Sequence, residues 1–511
     1  MTSHKTFEYL TAWLAGAMET AYAAEHSKSK TPKLRGLGKY DKRYWVSREL
    51  ILCELAERLV CHYDKKLFLA SKDGQTLYAY NGQYYEAVES KADKFMKELV
   101  KRTLRSLDIG VWYLSKCAEN IAKECVESVM SSDEYLYRPN RRYIAFTNGI
   151  FDLKDGKLKN FDIRYCPYLS LDIEYKSGPD CYKDGARKFG MGDNPCRLWD
   201  VKLEDRNEGI IPNHDAREAF QQFCGSLLLD RDEVKVEYVC YLIGPGSNGK
   251  SVLASAVSGV FGEHYFSRFT PKQLFKDSDA RVNIAALVGK IANLVGDLDE
   301  RDMSGGDFKR FASGERFQGR RNYKEPILVQ APPLLCCTNS MPESSDDSWG
   351  HHRRQLPIYT TRRQWTEEDK DPYLTQKLTT PEARQYIFTW IYEGYKKIIR
   401  NGGNIVLGED VIQAQRELQD DSNSARRWWR DSGYEVVRKP EEKDARWRTL
   451  KELYAEYVAY AEDCGYPTVK KRVDVSAMIR SKGYSTEIGN ERRMAGGVEF
   501  CIGKKEIETK E

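Results

Sequence analysis

The sequence YVCYLIGPGSNGKS at residues 238–251 decides the fold of the central part of the chain. Its first six residues predict a buried strand, and the remaining eight match G-x-x-x-x-G-K-S, the pattern of a phosphate-binding loop. Glycines let the backbone wrap around an anion, and the helix that follows adds the partial positive charge of its N-terminus. The alternative is a Gly/Ser turn that happens to carry a lysine, and the strand and helix on either side argue against it.

This loop predicts a site for ATP and Mg²⁺. Lys250 is expected to reach the outer phosphates, and the Ser251 hydroxyl is expected to ligate the metal ion. The predicted nucleotide-binding residues are consecutive in the chain: Gly244, Pro245, Gly246, Ser247, Asn248, Gly249, Lys250 and Ser251.

A second predicted strand supplies the acidic groups that such a site needs. Residues 291–295 are apolar except for Asn293, and Asp297, Asp299 and Glu300 follow their C-terminal end. A carboxylate at this place holds Mg²⁺ and polarises the attacking water. Asp297 lies nearest to the strand and is the expected metal ligand, whereas an acidic turn after a core strand is the alternative.

Two further polar elements complete the predicted catalytic set. A third strand at 333–337 ends in Thr338-Asn339, and the Asn339 amide is expected to orient the attacking water or to sense the γ-phosphate; a plain turn residue is the alternative. Arg353 and Arg354 precede a further strand. Such a pair suits an arginine finger that a neighbouring subunit offers to the γ-phosphate, and a solvated basic turn is the competing interpretation.

The bulk composition predicts a soluble globular protein of several domains. The chain has 511 residues, 41% of them hydrophobic and 31% charged, and a formal net charge of +4. This balance excludes a polycation, so nucleic-acid contacts must come from local clusters. The 13 cysteines lack zinc spacing and suit a reducing cytoplasm, either bacterial or that of a host cell. No apolar segment predicts a signal peptide or a membrane span, so no membrane partner is expected.

The pattern along the chain predicts a multidomain α/β protein. Residues 1–135 are predicted to be mostly helical with a β-hairpin at Asn81-Gly82. Residues 136–230 are predicted to form an α+β accessory region, in which the polar stretch 174–213 is either an insertion or a linker. Residues 231–365 alternate strands and helices, as a nucleotide-binding core does, and residues 366–445 are helical.

The remaining part, residues 446–511, predicts a winged helix. An amphipathic helix is followed by a second helix that begins after Lys470-Lys471-Arg472, and then by two strands around a turn at 489–493. Residues 466–505 contain nine Lys/Arg and four Asp/Glu. This local positive charge suits a helix that enters a major groove, so Lys470, Lys471 and Arg472 are predicted DNA contacts; a winged helix used for protein contacts is the alternative.

In this order and spacing, the phosphate loop, the acid-ended strand, the Thr-Asn strand end and the Arg-Arg pair resemble the superfamily 3 helicases. They resemble more closely the helicase part of the poxvirus and phage primase–helicase family. The segments 148–153, 308–315, 321–326 and 374–397 are also similar to stretches of that family. The resemblance implies an AAA+ ATPase core, a hexameric ring that binds ATP between subunits, and 3′-to-5′ movement on DNA.

The resemblance also implies a hairpin, between the second and third strands, that projects into the central channel of the ring. Lys309, Arg320, Arg321 and Lys324 are the expected phosphate contacts there, and an exposed basic loop that binds nothing is the alternative. The chain departs from the family where Gly296 replaces the first of two adjacent acids, which leaves the catalytic carboxylate open among the three acids named above. No primase pattern precedes the core, which predicts a stand-alone helicase with a separate primase or polymerase.

The sequence therefore predicts an ATP-dependent DNA helicase that serves the replication of a phage, a virus or a mobile element. The alternative is a winged-helix protein that binds an origin or operator and uses its ATPase fold as a ligand-gated clamp. A motor that acts on RNA is a third interpretation. The choice between Arg353 and Arg354 as the finger, and the role of residues 1–135, stay open at this point.

Overall fold

The computed structural model describes a mixed α/β protein with several sheets, one of them parallel. The chain divides into two compact units, Met1–Asp180 and Cys181–Glu511; this boundary falls inside the predicted region 136–230, and the five-part division of the chain stays a prediction. No helix among the described residues has the length and apolar character needed to cross a bilayer. The described residues are 4–28, 67–71, 76–88, 91–107, 111–131, 139–176, 195–204, 209–296, 298, 305–321, 326–341, 348–361, 363–366, 371–421, 424–437, 445–464, 470–481, 491–494 and 497–504.

The described part of the first unit contains helices and short strands. In chain order they are α1 (His4–Lys28), β1 (Phe68–Ala70), β2 (Leu77–Tyr80), β3 (Tyr85–Ala87), α2 (Ala92–Ser106), α3 (Val111–Ser131), β4 (Asn140–Phe146), β5 (Gly149–Asp152), β6 (Lys157–Lys159) and β7 (Pro167–Ser170).

One hydrophobic cluster joins α1, α2 and α3 to the antiparallel sheet β1-β2-β3, and it includes the fully buried rings of Phe68 and Phe95. The predicted Asn-Gly hairpin is confirmed, because β2 and β3 pair across it. The Asn81 side-chain oxygen accepts hydrogen bonds from the N–H groups of Gln83 and Tyr84, both at 3.0 Å. The side chain of the turn residue thus satisfies backbone donors that the hairpin leaves unpaired.

Asp152 is the polar centre of the second sheet of this unit, whose strand order is β6-β5-β4-β7. Its fully buried carboxylate accepts from the Arg142 guanidinium at 2.7 and 2.6 Å and from the Lys159 ammonium at 2.5 Å. Burial by itself would raise the pKa of Asp152, but hydrogen bonds from Arg142, Lys159 and the Lys154 N–H hold it well below the usual range. Asp152 belongs to the segment 148–153 that resembles the primase–helicase family, and here it has a structural role.

The second unit begins its described part at residue 195. Its elements up to the last strand of the central sheet are α4 (Pro195–Glu204), α5 (His214–Ser226), β8 (Val239–Ile243), α6 (Lys250–Phe261), β9 (Phe266–Ser267), α7 (Pro271–Phe275), α8 (Ala280–Ala285), β10 (Ala292–Val295), α9 (Gly305–Ala312), β11 (Arg316–Gly319), β12 (Ile327–Gln330), β13 (Leu334–Thr338), α10 (Trp349–His352) and β14 (Gln355–Tyr359). The elements that follow are α11 (Leu374–Leu378), α12 (Pro381–Arg400), α13 (Glu409–Asp421), α14 (Ser424–Asp431), β15 (Tyr434–Val436), β16 (Arg446–Thr449), α15 (Leu450–Asp463), α16 (Arg472–Ser481), β17 (Glu491–Met494) and β18 (Gly497–Lys504).

The centre of this unit is a five-stranded sheet of order β14-β8-β13-β10-β9, in which every neighbouring pair is parallel. Each residue of β8 and β13 is buried, as expected for strands of a parallel sheet that is covered on both faces. From β8 the chain runs to β9 at one edge, returns through β10 and β13, and then crosses to β14 on the other side of β8. The connections that follow the neighbouring strands β8 and β13 run to opposite sides of the sheet, which makes a topological switch point between them. Ligands of open α/β sheets bind at such a point, outside the carboxyl ends of the strands.

The expectation of a linker at 174–213 is wrong for its described part. Helix α4 lies in this stretch, and its Trp199 is fully buried with its ring 5.2 Å from that of Trp390 in α12. Ile210 and Ile211 are also fully buried. A few large apolar side chains therefore anchor a segment whose polar composition suggested a solvated connection.

Gly225 in α5 and Gly394 in α12 allow the backbones of these two helices to approach closely. A Cβ atom on Gly225 would lie 2.2 Å from the Tyr395 backbone nitrogen, and one on Gly394 would lie 2.1 Å from the Gln221 carbonyl oxygen. The side chain of Gln221 also donates to the Trp390 carbonyl at 3.0 Å. The crossing thus leaves no room for a side chain at either glycine.

The C-terminal part contains the sheet β15-β18-β16, with β17 paired to β18, and the helices α14–α16. Helix α15 begins at a capping box of Thr449 and Glu452 and buries Tyr457, which confirms the predicted amphipathic helix. The second predicted helix corresponds to α16. The turn expected at 489–493 is wrong, because Glu491–Met494 form β17, which pairs with β18 from Gly497 onward.

Replacing Gly225 by Ala is expected to lower the free energy of unfolding by about 2–3 kcal/mol, because the new methyl group would collide with backbone atoms of α12. Urea-induced unfolding followed by circular dichroism measures this loss. Gly306→Ala is the matched control, since a Cβ atom there meets no atom within 4 Å, and it should change stability by less than about 0.5 kcal/mol. Equal midpoints for Gly225→Ala and the wild-type protein would contradict the close crossing.

Replacing Asp152 by Asn is expected to cost about 2–3 kcal/mol at pH 7, because Arg142 and Lys159 lose the negative charge and one of the two acceptor oxygens of their partner. The folded-state pKa of Asp152 is lowered, so its contribution is complete above the unfolded pKa of about 4 and is lost as pH falls below that value. Urea unfolding of both proteins between pH 7 and pH 3.5 checks this expectation. The difference should shrink at acid pH; a difference that stays constant would contradict the pairing. The half-exposed Asp155 offers the control Asp155→Asn, whose effect should be small.

Candidate functional site

The structure confirms the predicted strand, loop and helix around the phosphate-binding motif. The buried strand β8 leads into residues 244–249, and α6 begins at Lys250. Ser247 and Gly249 adopt left-handed backbone conformations, with φ of 56° and 89°. Left-handed residues of this kind form the concave turns in which backbone N–H groups face an anion, and here the turn opens at a helix N-terminus. The loop can therefore hold a phosphate group by backbone contacts alone.

Two glycines of the loop tolerate no side chain: Gly244, where a Cβ atom would lie 2.1 Å from Thr360 Oγ1, and Gly249. Besides its positive φ, a Cβ atom there would lie 2.5 Å from Ile210 Cδ1 and 2.7 Å from Trp365 Cη2. By contrast, a Cβ atom on Gly246 would meet nothing within 4 Å. Ile210 and Trp365, two residues outside the motif, thus lie directly against the loop at Gly249.

Lys250 is buried, and its ammonium group donates to the carbonyl oxygens of Gly244 and Pro245, each at 2.7 Å, and to Asn248 Oδ1 at 3.0 Å. An ammonium has three donor hydrogens, so these three oxygens can satisfy them all. The cation is held over its own loop, next to the backbone that would surround a phosphate.

Asn248 ties the loop to the chain that follows β14. Its side chain is 1% exposed, and its amide nitrogen donates to Thr360 Oγ1 at 2.7 Å and to the Thr361 carbonyl at 3.0 Å. Thr360 in turn donates from its hydroxyl to the Ile243 carbonyl at 2.9 Å, at the end of β8. The sequence assigned Asn248 to nucleotide binding, and in the structure it also positions the loop.

The segment after β14 contributes residues that the sequence did not single out. The Trp365 N–H donates to the Ser247 carbonyl at 2.8 Å, and the Lys202 ammonium lies 5.6 Å from the centre of the Trp365 ring. The sequence does contain a pattern that could have marked this segment as part of the site, because Thr360-Thr361 follow an apolar strand just as Thr338-Asn339 do. The sequence does not show that this strand lies beside β8, so the pattern could not be used.

A cavity of about 440 Å³ lies beside the loop, a size that small-molecule sites commonly have. It brings together the exposed side chains of Ser251 and Asn339, which the sequence predicted as a metal ligand and a water-orienting amide. The residues that line it are Gly246, Ser247, Asn248, Gly249, Lys250, Ser251, Val252, Gly296, Cys337, Thr338, Asn339 and Trp365.

The predicted acids follow the strand that reaches this cavity. Strand β10 ends at Val295, and Gly296 lines the cavity. Asp297, Asp299 and Glu300 lie outside the described residues. Within the described ranges, no group of three or more His, Cys, Asp or Glu residues is placed to hold a metal ion. Of the two predicted Mg²⁺ ligands, the structure therefore places Ser251 at the cavity, whereas the position of Asp297 stays a prediction from the sequence.

The two arginines lie at the amino ends of the parallel strands, whereas the phosphate loop lies at their carboxyl ends. The Arg354 carbonyl accepts a hydrogen bond from the N–H of Val239 at 2.8 Å. Val239 is the first residue of β8, whereas the phosphate loop follows the last residue of that strand. Five residues of a parallel strand span about 16 Å. Neither arginine can therefore reach a phosphate held by the loop of its own chain.

Arg353 and Arg354 differ in how they are held. The Arg353 side chain is 44% exposed and pairs with Glu237 at 2.9 Å. The Arg354 side chain is 14% exposed, pairs with Glu237 at 3.1 Å and donates to the Gly350 carbonyl at 2.6 Å and to Ser313 Oγ at 3.2 Å. Arg354 is built into its own chain, whereas Arg353 presents its guanidinium to the surface.

The predicted DNA contacts belong to two separate parts of the chain. Strands β11 and β12 form an antiparallel hairpin, next to which Arg320 is exposed and Arg321 half-buried, and Lys309 is half-buried on α9. Lys324 lies outside the described residues. In the C-terminal part, Lys471 and Arg472 are exposed at the start of α16, and the Lys470 N–H donates to the Tyr457 hydroxyl at 2.8 Å. Their role in binding DNA stays a prediction.

Two family models match parts of this chain. Residues 56–208 match a model described as D5 N terminal like, and residues 242–354 match a family of unknown function, DUF5906. The second match extends from β8 to Arg354 and so includes the phosphate loop, the cavity-lining strand ends and the arginine pair. The first match supports the relation to the primase–helicase family that the sequence motifs suggested.

Among solved structures, the chain is similar to apo structures of the NrS-1 C-terminal region. An A form structure is 12% identical with a TM-score of 0.39, and the match covers 86% of this chain and 97% of that chain. A second structure, of residues 305–718, is 12% identical with a TM-score of 0.36 and coverage of 86% and 96%. Similarity at this level supports no conclusion about the site.

Replacing Gly249 by Ala is expected to lower the free energy of unfolding by about 1–3 kcal/mol in the absence of nucleotide, because the methyl group meets Ile210 and Trp365 and the backbone is left-handed. Scanning calorimetry of the variant and the wild-type protein measures the shift. Gly246→Ala is the control within the same loop and should unfold at nearly the wild-type temperature. If both variants behaved alike, the packing around Gly249 would be wrong.

Proposed function

We propose that this protein is an ATP-dependent DNA helicase of the superfamily 3 AAA+ type, which works as a hexameric ring in the replication of a phage, a virus or a mobile element. The observation that carries the proposal is the position of two groups at opposite ends of two neighbouring parallel strands. The phosphate loop follows the carboxyl end of β8, and Arg353-Arg354 precede the amino end of the adjacent β14. A second copy of the chain is needed to bring an arginine to the nucleotide.

The nucleotide half of the proposal uses the carboxyl edge of the sheet. The backbone of Ser247–Lys250 and the Lys250 ammonium would hold the phosphates of ATP, and Ser251 would hold Mg²⁺ together with Asp297. Bound ATP supplies the phosphoanhydride bond whose cleavage drives movement. Asn339, exposed at the end of β13, would orient the attacking water, while Asp299 and Glu300 are the other candidates for the acid that polarises it.

The arginine half of the proposal favours Arg353 as the finger. Its guanidinium is more exposed than that of Arg354, and its partner Glu237 lies on the same chain. Exchanging this partly exposed ion pair for a phosphate of a neighbouring copy costs little, since such pairs contribute about 0–1 kcal/mol. Arg354 would position Glu237 and the helix α10 rather than leave its own chain.

The proposed DNA binding rests on the match of residues 56–208 to the D5 N terminal like model and on the two groups of basic residues described above. The hairpin of β11 and β12 carries Arg320 and Arg321, and with Lys309 and Lys324 it would follow the phosphates of one strand in the channel. Helices α15 and α16 with β17 and β18 would act as the winged helix, with Lys470, Lys471 and Arg472 against duplex DNA. A separate primase or polymerase would supply the synthesis step.

Mixing two inactive variants tests this proposal. Lys250→Ala and Arg353→Ala should each lose at least about 99% of DNA-stimulated ATP hydrolysis, because each removes one half of every shared site. In an equal mixture that exchanges subunits, a site with Lys250 from one copy and Arg353 from another forms again. We expect up to about a quarter of the wild-type rate if subunits mix at random.

The controls separate the parts of the proposal. Arg354→Lys keeps the positive charge beside Glu237 and should keep more activity than Arg353→Lys if Arg353 is the finger. Full ATP hydrolysis by Arg353→Ala, or no recovery in a mixture with proven subunit exchange, would contradict the shared site. ATP hydrolysis without displacement of a strand from forked DNA would instead favour the origin-binding clamp.

A further inference from the structure

Trp365 is an aromatic side chain at the phosphate loop that the proposed hydrolysis does not use. It lines the same cavity as Lys250 and Ser251, and its side chain is neither buried nor fully exposed. It follows β14 rather than the motif, so it reaches the loop only through the pairing of β14 with β8. A large ring at the wall of a small-molecule cavity can contact a ligand directly.

The position of Trp365 is held from several directions. Its backbone N–H donates to the Ser247 carbonyl at 2.8 Å, and its Cη2 atom lies beside Gly249. The Lys202 ammonium of α4 lies 5.6 Å from the ring centre, a cation–π distance. The indole is therefore fixed next to the backbone that would hold the phosphate chain.

We propose that Trp365 is the stacking platform for the nucleobase, which makes the ligand of this site a nucleoside triphosphate rather than any polyphosphate. The inference rests on the proposed nucleotide site and adds the recognition of the base. Every nucleobase has a π-face that stacks on an aromatic ring, and the adjacent Lys202 adds positive charge for an anionic ligand. Stacking of this kind contributes binding free energy equivalent to about a tenfold change in affinity or more.

A second role for the same side chain would be to brace the loop against Gly249 without touching the ligand. The two roles differ in one respect. A brace acts on the phosphate contacts and affects all ligands that carry a triphosphate, whereas a platform affects only those that carry a base. Inorganic tripolyphosphate has the phosphates without the base, so comparison with ATP separates the roles.

The experiment is isothermal titration of the full chain with Mg²⁺-ATP and with Mg²⁺-tripolyphosphate. Trp365→Ala should lower the affinity for ATP about tenfold or more and leave the affinity for tripolyphosphate within about twofold of the wild type. Trp365→Phe should keep most of the ATP affinity because it keeps a ring. Tyr373→Ala is the matched control, since it removes an exposed aromatic side chain elsewhere and should bind both ligands as the wild type does.

The outcomes distinguish this inference from the proposed function. An equal loss of affinity for both ligands in Trp365→Ala would identify a brace and overturn the platform. Unchanged ATP affinity would also overturn the platform. In the wild-type background, Lys250→Ala should weaken both ligands. If it weakened neither, or if the wild-type chain bound neither ligand, the nucleotide site itself would be overturned, and the platform with it.

Discussion

The parallel pairing of β8 with β13 on one side and β14 on the other is the constraint on which the site depends. Five residues of β8 pair with five on each neighbour, so that Ile243 lies between Thr338 and Tyr359. Because the three strands end together, the phosphate loop, the Asn339 amide and the Thr360 segment meet at one edge. The same register puts Arg353 and Arg354 at the other edge. One register thus brings these polar groups to the cavity and keeps both arginines of the same chain away from it.

Hydrogen bonds of buried polar side chains fix the conformation of the phosphate loop at the ends of these strands. Asn248 is almost fully buried, yet its side-chain oxygen and nitrogen both have partners, in Lys250 and in the two threonines after β14. A buried amide left unpaired would cost about 1–3 kcal/mol, so the loop conformation that pairs it is favoured over others. The hydrogen bond from the Thr360 hydroxyl to Ile243 closes the connection back to β8. The loop is therefore positioned by a strand that lies more than a hundred residues further along the chain.

Electrostatics divides the arginine pair into two roles. Glu237 contacts both guanidinium groups, yet only Arg354 is also bonded to Ser313 and Gly350 among the contacts described above. Burial by itself would raise the pKa of Glu237, but its hydrogen bond with Ser313 and the two arginines lower it, so the carboxylate stays charged and keeps the pair in place. The more exposed Arg353 remains available at a surface where another copy of the chain would arrive in the proposed ring.

The sequence by itself determined the local features: the strand, loop and helix of the phosphate-binding motif, the Asn-Gly hairpin, and the amphipathic helix α15. These depend on residue types within a few positions of one another, where backbone conformation and periodicity act. It misjudged 174–213 and the turn at 489–493, because composition does not reveal that Trp199 is buried or that residues 491–494 pair as a strand with β18.

Only the tertiary structure decided which strands adjoin β8, and with that the places of Thr360 and Trp365 at the loop and the separation of the arginines from it. The reason is physical, because the partner of a buried strand is selected by packing over the whole sheet, and every apolar strand of similar length presents the same local pattern. The close contact of Gly225 with α12 and the burial of Asn248 likewise exist only once distant segments have met.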